Sequence, residues 1–270
     1  MRNIPEKIFL LKFAGFILRI SPMFSQLKKH SKFRPVIVIY TLCVYALQYT
    51  FTAIIVLIGI CVSYLKLKSI NRFGHLIWAK SMFFFMGKRV HIEGKDNYDR
   101  SKKYILVANH ASIYDIPAIM SVVPGVSWIG REYLVRILGF GRLLKMNDYI
   151  PIEPGQPGRS RQSIKQAIAH AKDGITVAIF PEGTRTLDGQ LGTFKKGFIH
   201  ILRATHLDIL PVTLNRFYSL KPKTRFTIVS KGKLEIIIHP PIDNKKLLPM
   251  TDNEIIDVVK KTILSSYQGR

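Results

Sequence analysis

From Pro35 to Leu65, 31 consecutive residues carry no charged side chain (PVIVIYTLCVYALQYTFTAIIVLIGICVSYL). A helix needs about 20 apolar residues to cross the ~30 Å hydrocarbon core of a bilayer, so this run is long enough with length to spare. The buried helix of a soluble protein rarely runs so far without charge. A signal peptide fits poorly, because the run starts late and lacks a small-residue cleavage site. Both flanks are basic: residues 1–34 carry eight Lys/Arg and residues 66–103 carry ten. The asymmetry that would orient a single span is therefore missing. Gln48, Tyr49, Thr50 and Thr52 make the middle of the run more polar. Yet half of it is only about 23 Å of helix, and no central turn is marked. A dipping hairpin and one long tilted helix both remain open.

Two further stretches suit the headgroup region. Ile8–Ile20 is apolar but interrupted by Lys12 and Arg19, and His75–Lys88 sets Trp78, Phe83, Phe84 and Phe85 beside Lys80 and Lys88. Aromatic residues flanked by cations fit an interfacial helix. An ordinary core helix is the competing reading of the second stretch.

Composition sharpens the partner class. Of 270 residues, 47% are hydrophobic, which supports a real core and excludes intrinsic disorder. Lys and Arg number 41 against 17 Asp and Glu, a formal charge of +24. Nucleic-acid binders reach such charge through polar sequence, whereas here the mean hydropathy is +0.14. A chain both apolar and basic points to an anionic membrane surface or an anionic lipid, and no nucleic-acid partner is expected. Cys43 and Cys61 both lie in the apolar run, so neither a disulfide framework nor a zinc site is expected.

After Arg100 the texture becomes that of an α/β protein. Short apolar strands are predicted at Tyr104–Ala108, Ile175–Phe180, Ile209–Leu214 and Leu234–Ile238. Between the first two, Ser160–Lys172 repeats Ile164, Ala167, Ile168 and Ala171 at helical spacing, with Gly174 as the stop. Strands alternating with helices place functional sites at strand ends.

The first strand runs into Asn109-His110-Ala111-Ser112-Ile113-Tyr114-Asp115. On one continuous helix, His110 and Asp115 would sit about 140° apart and could not meet. They meet if His110 stays on the loop and Asp115 begins the helix, with Ser112 as the expected N-cap. A carboxylate on one imidazole nitrogen fixes the tautomer and leaves the other nitrogen free to take a proton from an alcohol. No serine or cysteine at a nucleophile elbow accompanies the pair, which argues against a covalent intermediate. The second strand ends in Phe180-Pro181-Glu182-Gly183-Thr184-Arg185. There backbone N–H groups, a hydroxyl and a guanidinium suit a phosphate monoester. Lys195, Lys196, Lys221, Lys223, Arg225, Lys231 and Lys233 extend a basic face of the kind that is mostly solvated.

These residues resemble the glycerolipid acyltransferase family, most closely its 1-acyl-sn-glycerol-3-phosphate (lysophosphatidate) acyltransferases. The family's NHxxxxD block stands intact as Asn109-His110 to Asp115, and FPEGTR is matched letter for letter by Phe180 to Arg185. Phe194–Gly197 matches the FKxG that follows. Leu210-Pro211-Val212 is similar to the proline-centred fourth block and Pro240-Pro241-Ile242 to the terminal PPI. The likeness covers roughly residues 95–245. The second block departs: Pro154 stands where a phosphate-binding Arg would fall, with Arg159 and Arg161 just downstream and Arg131 before it.

The resemblance implies an αβ sandwich with N-terminal membrane-associated helices. It divides the chain into a basic amphipathic segment (1–34), a transmembrane or membrane-dipping helix (35–65), an interfacial helix and linker (66–94) and an acyltransferase domain (95–270). It implies direct acyl transfer with no cofactor or metal, His110 acting as general base and Asp115 orienting it. The acceptor would be bound by Asn109, Arg131, Arg159 or Arg161, Glu182, Gly183, Thr184, Arg185 and Lys195. The implied partners are a lysophospholipid acceptor, an acyl-CoA or acyl carrier protein donor and an anionic membrane surface. The implied location is a bacterial inner membrane, with the site on the cytoplasmic face. The altered second block leaves open glycerol-3-phosphate or another lysolipid as acceptor. A non-catalytic membrane-anchored binding protein is the rival of a different class.

Overall fold

In the computed structural model, the structure describes residues 35–65, 68–137, 141, 144–145, 148–153, 155, 157–229 and 232–269. The Ile8–Ile20 stretch, the 1–34 segment, Pro154 and Lys231 lie outside the described residues. The chain divides into two compact units, Met1–Leu42 and Cys43–Arg270. The described part of the first is helical, and the Thr41 hydroxyl donates back to the Ile37 carbonyl (2.7 Å).

The second unit is built on a seven-stranded sheet: β1 (Val90–Glu93), β2 (Tyr104–Ala108), β3 (Ser127–Arg131), β4 (Ile150–Ile152), β5 (Val177–Ile179), β6 (Asp208–Asn215) and β7 (Leu234–Ile238). Its order is β1-β7-β6-β2-β5-β3-β4, and all pairings are parallel except β6 with β7. The central strand β2, YILVA, is buried at every position, as a parallel strand covered on both faces must be. β2 and β7 keep their sequence-predicted bounds; β5 is shorter than expected and β6 one residue longer at each end.

The apolar run forms one helix, α1 (Pro35–Tyr64), so of the two topologies the hairpin is not formed. Thirty residues at about 1.5 Å each exceed the ~30 Å of hydrocarbon, and the helix is long and apolar enough to cross a membrane. Helix α2 (Lys68–Phe84) follows. The polar residues in the middle of the run have partners within the second unit. Gln48 donates to the Met82 carbonyl (2.8 Å) and accepts from the Tyr114 hydroxyl (2.8 Å), and Thr52 accepts from the Trp78 indole (3.0 Å). Leu47, Ile54, Leu57 and Ile58 of α1 stay exposed, as do Phe73, Ile77 and Phe84 of α2. Phe83, expected at a membrane interface, is instead buried against Tyr114 and Phe217. The aromatic stretch therefore serves both readings, one face as core and the other as exposed surface.

Helix α3 (Asp115–Met120) follows β2 directly, α4 (Pro157–Lys172) fills the crossover to β5, and α5 (Gly197–Thr205) leads into β6. Gly174 takes the left-handed backbone (φ 75°) that ends α4. The short α6 (Phe217–Leu220) and α7 (Asn244–Leu247) precede α8 (Asp252–Leu264), which opens with a Thr251–Glu254 capping box. α4, α5 and α8 bury Ala167, Phe198, Ile201, Leu202, Ile255 and Val259 against Ile105, Val107, Val177 and Ile179 of the sheet. Emptying such a site, as in Ile105→Ala, costs about 2–5 kcal/mol.

Candidate active site

The parallel register sets Val107 of β2 beside Ile179 of β5, so the loops leaving these two strands emerge side by side. One loop carries His110 and the other carries Glu182 to Arg185. That is the carboxyl edge of the sheet, where such folds place their ligands.

His110 stays on the loop and Asp115 begins α3, the only arrangement in which the two can meet. Asp115 is fully buried, and its Oδ2 accepts from the Ala111 and Ser112 amides (2.6 and 2.8 Å) and from His110 Nδ1 (2.8 Å). A carboxylate already accepting two N–H bonds is an acceptor only, so the imidazole proton sits on Nδ1 and the Nε2 lone pair is free. Ser112 does not cap α3. The N-cap is Tyr114, and the Ser112 hydroxyl instead donates to the Lys221 carbonyl (2.8 Å).

Glu182 fixes the same loop from the other strand. Its Oε1 accepts from the His110 amide (2.7 Å) and its Oε2 from the Gly192 amide (2.9 Å), while the Thr186 amide donates to the His110 carbonyl (2.9 Å). Burial pushes the Glu182 carboxyl upward, and the two amide bonds act against that rise. The Phe180 ring lies parallel to the imidazole, 4.0 Å away and tilted by 8°, and Trp128 stacks on Phe180 from 5.4 Å. A ring face over a histidine favours its cationic form, the form created when it takes a proton.

Around the turn, Gly183 adopts φ 70°, and its amide donates to the Phe180 carbonyl (3.0 Å), so that N–H is not available to a ligand. Thr184 is exposed. Arg185 is half-buried with no ion-pair partner among the described residues. A Cβ at Gly183 would meet Lys195 Nζ at 2.9 Å, so that ammonium lies against the turn.

The other expected ligands are placed differently, Arg131 at the same carboxyl edge as the two loops and the rest in structural contacts or on the surface. The Asn109 amide is used by the backbone, donating to the Leu214 carbonyl (3.0 Å) and accepting from the Leu214 amide (2.8 Å). Arg159 pairs with Glu132 (2.9 Å) and with Glu153, so its charge is already compensated. Arg161 is exposed on α4, and Arg131 is exposed at the end of β3. Phe180, Trp128 and Lys221 were not expected at the site. The first stands inside a quoted motif, whereas the other two carry no sequence signal that separates them from core and surface.

With this geometry in hand, likeness to known proteins can be placed on it. The Acyltransferase family model matches residues 89–215, which contain both loops. The 1-acyl-sn-glycerol-3-phosphate acyltransferase LPAT1, chloroplastic, of Arabidopsis thaliana is 31% identical over 180 residues, 65% of this chain and 50% of that protein. The Limnanthes douglasii 1-acyl-sn-glycerol-3-phosphate acyltransferase is 29% identical over 199 residues, 73% of this chain and 68% of that one. The crystal structure of the 1-acyl-sn-glycerophosphate (LPA) acyltransferase PlsC from Thermotoga maritima superposes with a TM-score of 0.73. It is 29% identical and covers 84% of this chain and 92% of that one. The resemblance to the glycerolipid acyltransferases is thus supported by the family model, by these relatives and by the solved structure. The alignment spans about half the length of the Arabidopsis and Cocos nucifera relatives. The NHxxxxD and FPEGTR blocks occupy the adjacent loops that hold His110 and Arg185.

Proposed function

We propose that the protein transfers a fatty acyl group from a thioester donor, acyl-CoA or acyl carrier protein, to the free hydroxyl of 1-acyl-sn-glycerol-3-phosphate, forming phosphatidate. The observation that carries this reading is the His110–Asp115 contact at Nδ1, beside a half-buried and unpaired Arg185. Nε2 takes the proton of the acceptor hydroxyl as its oxygen attacks the thioester carbonyl. Asp115 and the face of Phe180 stabilise the imidazolium so formed. Collapse of the tetrahedral intermediate breaks the C–S bond, and the imidazolium returns its proton to the leaving thiolate. Arg185 holds the acceptor phosphate, and the transfer calls for no metal or cofactor.

Membrane attachment belongs to the same proposal. Helix α1 enters the bilayer together with the exposed apolar face of α2, and the basic flanks meet anionic headgroups. A bacterial inner membrane with the site on the cytoplasmic face completes the proposed setting, as the family resemblance implies.

Purified protein in detergent, given labelled acyl-CoA or acyl carrier protein with lysophosphatidate, glycerol-3-phosphate or a phosphate-free lysolipid, tests the reading. Phosphatidate formed by the wild type, and at least about 100-fold more slowly by a folded His110→Ala variant, is expected. Equal rates for the two proteins would remove His110 from the chemistry. Transfer only to the phosphate-free lysolipid would overturn the acceptor assignment.

A further inference from the structure

We propose that Lys221 is the second cation of the anion site headed by Arg185, and that the ligand they share is the phosphate monoester of the acceptor. The inference rests on the acyl-transfer reading for the identity of its ligand, though not for the existence of the site.

Lys221 follows α6, in the loop between β6 and β7, far in sequence from either matched block. Two contacts carry it to the carboxyl edge of the sheet. The Ser112 hydroxyl, two residues from His110, donates to the Lys221 carbonyl (2.8 Å). The Tyr218 hydroxyl donates to the carbonyl of Leu187, two residues beyond Arg185 (2.8 Å). The Lys221 loop is thereby tied to both functional loops.

Its side chain is not that of a solvated surface lysine. Lys221 is half-buried, and its Nζ donates to the carbonyls of Pro222 (3.2 Å) and Arg225. An ammonium has three protons, so one donor remains. The Arg225 guanidinium is engaged by the carbonyls of Leu220 (2.8 Å) and Thr227 (3.0 Å), which holds the loop's shape. Among the described residues, no carboxylate pairs with Lys221 or Arg185. Burial first, and then the cations Arg185 and Arg225, pull the Lys221 ammonium down to about 8. Cations that are desolvated, close to one another and without a counter-charge disfavour the empty site and favour a bound anion. A phosphate monoester carries close to two charges, which suits a guanidinium fork and a point-charge ammonium together.

The donor also bears phosphate, so two measurements separate the sources. The first is steady-state kinetics of Lys221→Met, which keeps the aliphatic stem and removes the charge. The KM for lysophosphatidate should rise about 10-fold or more, with the KM for acyl-CoA and kcat changed less than about twofold. A rise confined to the acyl-CoA KM would overturn the acceptor assignment, and unchanged constants would overturn the proposal. The second is thermal unfolding with and without inorganic phosphate, which needs no turnover. The wild type should be stabilised by phosphate, and both Lys221→Met and Arg185→Ala should lose that response while keeping a cooperative transition. Loss in Arg185→Ala alone would exclude Lys221 from the site. If phosphate stabilises only the wild type but no acceptor is acylated, the anion site stands and the acyl-transfer reading falls. Should Lys221→Met not fold, Lys221→Gln replaces it in both measurements with the same expectations.

Discussion

Arg136 and Arg159 on one side and Arg185 and Lys221 on the other look alike in sequence and behave differently in the fold. Arg159 is half-exposed and held by Glu132 and Glu153, and Arg136 also pairs with Glu132 (2.6 Å). These cations have acids beside them and water around them, so a ligand anion would have to displace a carboxylate. Arg185 and Lys221 are half-buried, and among the described residues neither forms an ion pair with a carboxylate. In the proposed reading a ligand anion supplies the missing counter-charge. What separates these two pairs of cations is where the carboxylates lie, for even Lys196 and Arg203, between Arg185 and Lys221 in sequence, pair with Asp252. An anion site in a strongly basic chain is marked by where carboxylates are absent.

The sharpest way to break that contrast is a paired substitution. Arg185→Ala should raise the KM for lysophosphatidate about 10- to 100-fold, because one charge-assisted contact is worth roughly 1.5–3 kcal/mol. Steady-state kinetics of purified variants measures it. A KM within twofold of wild type would remove Arg185 from the phosphate site and dissolve the contrast with Arg159.

The His110–Asp115 contact was legible because its logic is local. Asp115 reaches His110 and the Ala111 and Ser112 amides within five residues, and the NHxxxxD spacing already required a loop followed by a helix start. The central strands were legible for a similar reason, since burial on both faces demands unbroken apolar runs. The Ser112 cap failed because a tertiary acceptor, the Lys221 carbonyl, took its hydroxyl. Asn109 was expected at the ligand for its place in the motif, yet β6 offers its amide a matched donor and acceptor in Leu214. The role proposed for Lys221 was not legible at all. It depends on contacts spanning 109 residues from Ser112 and 31 residues from Tyr218 to Leu187.

The proposed mechanism adds a third kind of cation, the transient imidazolium of His110. Its negative partner is Asp115, and its second support is the face of Phe180 at 4.0 Å. Removing the aromatic face with Phe180→Leu should lower kcat about 2- to 30-fold while the KM for lysophosphatidate holds, and Phe180→Tyr should restore most of the loss. A KM effect without a kcat effect would show that Phe180 serves only the shape of the Arg185 turn.

A pH series sharpens the contrast further. Lys221, lowered by burial and by the nearby charges of Arg185 and Arg225, carries its charge below about 8 and loses it above. In the wild type, kcat/KM for lysophosphatidate should fall as pH rises through about 8, by up to the factor that Lys221→Met loses at neutral pH. In Lys221→Arg that alkaline fall should vanish. Its persistence there would assign the limb to another group.

The smallest effect is the one that closes the contrast. Arg159→Ala removes a cation as surely as Arg185→Ala does, from a stretch where the second family block has lost its arginine. Because its ion pairs are half-exposed and shared with Arg136 through Glu132, both the kinetic constants and the fold should hardly notice. The KM should stay within about twofold and the Tm within about 2 °C, with Arg161→Ala equally silent. If Arg159→Ala raised the lysophosphatidate KM tenfold, Glu132 and Glu153 would be holding a ligand arginine in reserve rather than satisfying a surface one. Absence of carboxylates would then no longer distinguish an anion site in this chain.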